Sequence, residues 1–325
     1  MPDQTRAVVP SEPVDVQLYQ DRARVYTEAA KAPNTRKAYA LDWGAFRQFC
    51  EARGWSPIPA APETVTAYLI HLAEDQGYKL STIQRRLSSI SIAHKTANLP
   101  SPTQTAQVSM VLAGLQKTYG TAQQAKKAAT LETLRQMLSH LPESRLGIRD
   151  RALLLIGFAG AFRRSELVGL QREDIEVTPD GLRVTLQRSK TDQAGKGRVV
   201  GIPYGSHRET CPVRAWQAWA AVMEAQGMST GFAFRALDRH GHLKTQLSDK
   251  AVALIVKRYA AAAGLDPAQY AGHSLRSGFA TTAGQAHVSE RAIMKQTGHQ
   301  STAMVRKYIQ EGTLFEDNAA AEIGL

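Results

Sequence analysis

Apolar residues recur at helical spacing along most of the chain, and the places where the rhythm breaks divide it. From Asn34, placed to cap a helix, Tyr39, Trp43, Phe46 and Cys50 fall at i, i+4, i+7 and i+11. A second helix follows Pro62, with Val65, Tyr68, Leu69 and Leu72 on one face. Ser81 and Gln84 have the spacing of a capping box for a third, which buries Ile83, Leu87 and Ile90 and turns Thr82, Arg85, Arg86 and Ser89 outward. A fourth carries Val108, Val111, Leu112 and Leu115. The pattern predicts an all-helical domain over residues 16–118, after a disordered lead-in at residues 1–15.

The stretch from Gln116 to Thr130 is polar and basic and holds no large apolar residue after Tyr119. It predicts a linker over residues 119–128, where Lys126 and Lys127 suit a strand passing close to phosphates. A second domain, residues 129–325, opens with helices and a strongly apolar run, Leu153, Leu154, Ile156 and Phe158, ending at Gly160. Three short strands are then expected: Ile175–Thr178, Leu182–Gln187 and Arg198–Pro203. Pro179-Asp180-Gly181 separates the first two and the glycine-bearing loop Gln193–Gly197 the last two. Helices resume around Trp216 and Trp219 and continue to the end. The fold class expected is mainly α with a small antiparallel β-sheet.

Composition narrows the partners. Hydrophobic residues make up 43% of the chain, no run approaches the ~20 apolar residues that span a bilayer, and Met1–Pro13 is polar, without a secretory core. Cys50 and Cys211 stand far apart, which favours neither a disulfide framework nor zinc and fits a reducing, cytoplasmic compartment. The net charge of +11 is shared almost equally between the two domains, the footprint of a phosphate-backbone binder. His240 and His242 have no third ligand near them and read as a turn between two helices.

Four segments of the second domain carry the candidate chemistry. They are Gly160-Ala161-Phe162-Arg163-Arg164-Ser165-Glu166-Leu167, Arg188-Ser189-Lys190-Thr191-Asp192, Gly272-His273-Ser274-Leu275-Arg276, and Thr297-Gly298-His299 followed by Tyr308. Each has an ordinary structural explanation alone; the order and content together resemble the catalytic signature of the tyrosine recombinases, or phage-integrase family. Arg163, Lys190, the His273-x-x-Arg276 pair, His299 and Tyr308 match the six catalytic positions of that family. His299 stands where the Cre-type branch has tryptophan, although the implied architecture is close to Cre. The opening Asn34-Thr35-Arg36-Lys37-Ala38-Tyr39 also resembles the family's core-binding domain, less specifically.

The residue types suit the reaction that the resemblance implies. Attack of a tyrosyl oxygen on a phosphodiester passes through five-coordinate phosphorus with added negative charge, and two arginines hold the non-bridging oxygens with fixed, permanently charged donors. Tyr308 is a poor nucleophile near pKa ~10 until a base takes its proton, and His273 is the natural base. Lys190, on a hairpin, supplies a proton to the departing 5′ oxygen, and His299 donates to the phosphate. Glu166 orients His273 or an arginine from behind. The scheme requires no metal, nucleotide or other cofactor, and the chain has neither a GxxxxGKS loop nor zinc spacing.

The resemblance further implies a two-domain, C-shaped clamp on double-stranded DNA with short inverted-repeat sites. Four protomers act on two sites through a Holliday junction, in the cytoplasm and on the nucleoid when bound. Arg36, Lys37, Thr82, Arg85, Arg86 and Ser89 are the candidate DNA contacts of the helical domain. The tail Phe315–Leu325, with Ala319, Ala320, Ala321, Ile323 and Leu325, is expected to dock on a neighbouring protomer. Related enzymes use the same chemistry for relaxation or hairpin ends, and a regulator could keep the fold. An intact set of six catalytic residues argues against the regulator.

Overall fold

In the first of the two compact units, Met1–Gln123, four helices bury the faces that the sequence marks as apolar. The computed structural model describes residues 33–120, 125–187 and 197–313, with Tyr19, Arg22, Ala23, Tyr26 and Ile323; the expected lead-in at 1–15 lies outside them. The helices are α1 (Pro33–Glu51), α2 (Pro62–Ile70, running into a π-helical turn at His71–Asp75), α3 (Leu80–Thr96) and α4 (Ala106–Tyr119). Phe46, Cys50, Val65, Tyr68, Leu69, Leu72, Ile83, Ile90, Val108 and Leu115 form the core. Pro62 sits at the helix start, where a missing N–H costs nothing. The capping box at Ser81 does not form, because α3 begins at Leu80 and Lys79 takes the cap position without a side-chain bond.

The α3 face corrects the expected DNA-contact set. Ser89 is 2% exposed and its hydroxyl donates to the Arg86 carbonyl, so it faces the core. Arg86 also turns inward: Nη1 donates to Tyr68 Oη at 2.8 Å and the guanidinium lies over the Tyr78 ring. Buried Asp42 accepts from Arg85 Nε at 2.8 Å and Nη2 at 3.0 Å. Arg36 and Lys37 are exposed on α1, and Thr82 is half-buried.

The second unit, Gln124–Leu325, contains α5 (Leu131–Ser139), α6 (Arg145–Ala159), α7 (Arg164–Gly169), α8 (Pro212–Glu224), α9 (Asp249–Ala262), α10 (Ser274–Gln285), α11 (Glu290–Thr297) and α12 (Thr302–Gly312). Its three-stranded antiparallel sheet runs in the order β1 (Ile175–Thr178), β2 (Gly181–Leu186), β3 (Arg198–Pro203), with Val184 opposite both Ile175 and Val200. A second hairpin, β4 (Arg235–Leu237) and β5 (Leu243–Gln246), corrects the expectation of a turn between helices at His240 and His242. Asp238 accepts from the backbone N–H groups of both histidines and closes that turn. Trp216 and Trp219 lie fully buried at the centre of the core, where Trp219 Nε1 donates to the Ala233 carbonyl.

The polar stretch after α4 ends by joining the second unit. Lys127 N–H donates to Gln269 O, Ala129 N–H to Ser274 O, and Lys126 Nζ to Ala268 O. The first half of helix α10 is thereby strapped, and the strap lies so close that a Cβ on Gly278 falls 1.8 Å from the Ala129 carbonyl oxygen. Its other side meets α12 as tightly: a Cβ on Gly284 falls 3.0 Å from Ile309 Cα, and one on Gly312 falls 2.8 Å from Thr281 O. Small residues here let two backbones approach.

Gly278→Ala is expected to destabilise the second unit by about 1–3 kcal/mol, because backbone has to move. Gly44, within α1, has nothing within 4 Å of its would-be Cβ, and Gly44→Ala is expected to stabilise by about 0.5–1 kcal/mol. Urea midpoints of the two variants check both signs.

Candidate active site

The corner between α6 and α7 aims two arginines. Ala161 adopts φ +48°, a left-handed conformation unusual for a residue with a side chain, and its carbonyl accepts from Arg276 Nη1 at 2.6 Å. Arg163 then takes the cap position of α7. Glu166, 6% exposed, accepts from the Arg163 backbone N–H at 2.9 Å and from its Nη1 at 2.5 Å. The carboxylate therefore fixes Arg163 by main chain and side chain together. Of the two roles expected for Glu166, the geometry matches the arginine.

His273 and Arg276 stand one turn apart at the start of α10, hence on one face. Arg276 is 1% exposed, and its Nη2 has no hydrogen-bond partner. A buried, incompletely paired guanidinium is costly unless an anion meets it. Burial, then the neighbouring Arg163 charge, pulls the Arg276 pKa down to about 10.

The turn after α11 supplies His299. Gly298 closes that helix at φ +68°. Thr297 Oγ1 donates its single proton to Ile293 O and lies 2.9 Å from His299 Nδ1, so Nδ1 is the donor in that pair. The neutral His299 ring consequently carries no proton on Nε2. Tyr308 comes from the middle of α12, packed with Ala280, Ala283, Ile293 and Val305 and only 9% exposed. Its ring stacks against His299 at 6.0 Å between centroids, and its Oη lies 3.3 Å from His273 Nε2.

Arg163, Glu166, His273, Arg276, His299 and Tyr308 are thus neighbours in one cluster, while Lys190 lies outside the described residues. Strand β3 adds Arg198, which carries no motif signal in the sequence beyond the strand it opens. Among the described residues, no group of three or more His, Cys, Asp or Glu side chains is placed to hold a metal ion, and no helix is long and apolar enough to cross a membrane.

A nucleophile-capable phenol, an imidazole within reach of its proton and a set of under-neutralised guanidiniums form a site for displacement at a phosphodiester. The Phage integrase family matches residues 127–313, the part of the chain that holds every one of these groups. The chain belongs to that family. As a tyrosine recombinase it is an enzyme of site-specific recombination, cleaving and rejoining DNA. It is 43% identical over 303 residues to an integrase/recombinase xerD homolog of Selenomonas ruminantium, covering 92% of this chain and 87% of that protein. To the recombinase cre of Escherichia phage P1 it is 26% identical over 286 residues, covering 82% and 80%. The fold is shared with XerH site-specific recombinase bound to palindromic difH substrate in a post-cleavage complex. That similarity has a TM-score of 0.63 at 19% identity and covers 88% of this chain and 78% of the other.

The positive surroundings also govern the two histidines of the recombinase. Burial of the ring, then Arg276, Arg163 and Arg164, lowers the His273 pKa, although the residue as a whole remains exposed. Burial, then Arg276 and Arg163, pulls His299 from 6.5 to about 4. A base depressed in the folded state binds its proton later than in the unfolded chain. Stability is therefore complete above pH 6.5 and declines as pH falls toward about 4.

An NMR titration of the DNA-free recombinase is expected to give a His299 midpoint near pH 4, moving upward when inorganic phosphate is added. A midpoint at the ordinary 6.5 that ignores phosphate would contradict the electrostatics described.

Proposed function

We propose that Tyr308 is the nucleophile of this recombinase and that it acts within its own chain. The observation that carries the reading is the 3.3 Å separation between Tyr308 Oη and His273 Nε2, beside the buried Arg276. His273, held neutral by its surroundings, takes the phenolic proton as Oη attacks the scissile phosphorus. The bond from phosphorus to the 5′ oxygen breaks, leaving a 3′-phosphotyrosine and a 5′-hydroxyl whose proton comes from Lys190. Arg163 and Arg276 hold the non-bridging oxygens. His299 donates through Nε2 once the phosphate charge has raised its pKa enough to protonate it. Phosphodiester bond energy is retained in the covalent link, so a 5′-hydroxyl reverses the step without metal or nucleotide.

Around that chemistry we place double-stranded DNA with short inverted repeats, four protomers on two sites and a Holliday-junction intermediate, acting in the cytoplasm on nucleoid DNA. The helical unit near residues 16–118 contributes Arg36, Lys37, Thr82 and the outer edge of Arg85. The tail Phe315–Leu325 lies outside the described residues except for Ile323, which is 73% exposed. An apolar groove of about 420 Å³ on the second unit, lined among others by Leu134, Phe158, Ile202, Phe279 and Ile293, suits a neighbour's Ala319–Leu325 in polarity.

With a suicide substrate, Tyr308→Phe is expected to abolish the covalent protein–DNA adduct and to leave duplex binding intact. His273→Ala is expected to slow adduct formation by about 10²–10⁴-fold. An adduct that persists in Tyr308→Phe removes Tyr308 from the role. Deleting Phe315–Leu325 is expected to weaken synapsis more than single-site binding in a gel-shift assay, and unchanged synapsis contradicts the tail's role.

A further inference from the structure

Arg198 opens strand β3 and turns into the cluster just described. The side chain is 19% exposed. Nη1 donates to the Gln296 carbonyl at 2.8 Å, while Nη2 lies 3.7 Å from Glu166 Oε2. Its Nε and Nη2 are buried without a hydrogen-bond partner. Burial lowers its pKa against the pull of Glu166, and Arg163 lowers it further. A third guanidinium in this place strains the electrostatics, yet the backbone makes room for it. Gly298 is left-handed at φ +68°, and a Cβ there falls 2.9 Å from Arg198 Nη1 and 3.0 Å from its Cζ.

Gln296 completes the same bracket. Its Nε2 donates to Ala159 O at 2.7 Å and to Gly201 O at 3.1 Å. Strand β3, the end of α6 and the last turn of α11 are therefore fastened at one point, beside the turn that supplies His299. Glu166 faces two cations unequally: Arg163 Nη1 is bonded to Oε1, and Arg198 Nη2 stands just beyond bonding distance of Oε2. A buried carboxylate left without its cation is heavily penalised. If Arg163 is to turn toward a phosphate, another cation has to take over Glu166.

We propose that Arg198 is a positioning residue for phosphoryl transfer: it fastens β3 to the His299 turn and serves as the reserve counter-ion of Glu166, which frees Arg163 for the scissile phosphate. This deepens the reading of the site given above and rests on it. Arg198 acts through Glu166 and α11 and does not touch the DNA.

Single-turnover cleavage of a suicide substrate, with the duplex Kd and its salt dependence, tests the proposal. Arg198→Ala is expected to cleave about 10²-fold more slowly, as for a displaced reacting group. Its salt slope should match the parent's, since losing a phosphate contact lowers the slope by about one. Arg198→Lys should not restore the rate, because a point ammonium cannot bridge Gln296 O and Glu166 together. That variant keeps the charge and most of the length, so it carries the test if the alanine variant unfolds. Arg198→Ala combined with Glu166→Gln should be no slower than Arg198→Ala alone, because a neutral amide needs no counter-ion. A parental rate in Arg198→Ala, rescue by lysine, a lowered salt slope or additive losses in the double variant would each overturn the proposal. Absence of adduct in the parent protein is a different failure: it removes the Tyr308 assignment itself.

Discussion

Repulsion among buried guanidiniums is the constraint around which the second unit is organised. Arg163 and Arg198 share one buried carboxylate, Glu166, with Arg276 close by, and the charge of all three lowers the pKa of His299 after burial has done so. Left alone, such a cluster would open toward water, where charges of like sign are screened. The fold holds it shut by hydrophobic burial elsewhere, through a core that includes Trp216, Trp219 and the α6 run Leu153–Phe158. An anion bound at this cluster would supply the missing negative charge and relieve a strain that folding has to tolerate. Burial, and then the same field, lowers the His273 pKa.

Tyr308 stands in register with the arginines because backbone contacts set the positions of the helices that carry them. Helix α10 carries His273 and Arg276, and α12 carries Tyr308. They meet at Gly284 and Gly312, where the facing atoms are Ile309 Cα and Thr281 O, and main chain cannot yield as a side-chain tip does. Ala161, at its positive φ, directs a carbonyl at Arg276 in the same spirit, and Gly298 leaves the space that Arg198 fills. Distances between the clustered groups are thus inherited from closely packed backbone, a firmer reference than long side chains reaching across a cleft.

What was legible in the sequence follows from what leaves a local trace. The strands at Ile175–Thr178 and Arg198–Pro203 are short runs rich in β-branched residues and bracketed by turn residues, and both lie at the expected bounds. The middle strand, Gly181–Leu186, is displaced by one residue from the expected Leu182–Gln187. The β4–β5 hairpin was not legible, because Arg235-Ala236-Leu237 and Leu243-Lys244-Thr245-Gln246 are short and mostly half-exposed or exposed, which erases alternation. Ser89 shares a helical stripe with Arg85 and Arg86, yet its hydroxyl satisfies itself on the Arg86 carbonyl and sinks into the core. The six candidate site residues came from their order along the chain and a family likeness, while Arg198, the second cation beside Glu166, comes from a strand far from it in sequence. Tertiary electrostatics of that kind has no sequence period to betray it.

Both units use one device at their basic surfaces, and its logic explains a cost that looks wasteful. Asp42 holds Arg85 by two hydrogen bonds in the helical unit, much as Glu166 holds Arg163 in the catalytic one. Each acid subtracts from the attraction a phosphate would feel, in a chain whose net charge of +11 otherwise favours DNA. Each also fixes a long side chain that would otherwise lose rotamer freedom on binding, at about 1–2 kcal/mol per arginine. Because the acids are buried and the guanidinium edges are partly open, the ordering is done during folding, and Coulomb attraction from the remaining arginines and lysines brings the polymer in. Arginines already in place lose less freedom on meeting a phosphate than mobile side chains do.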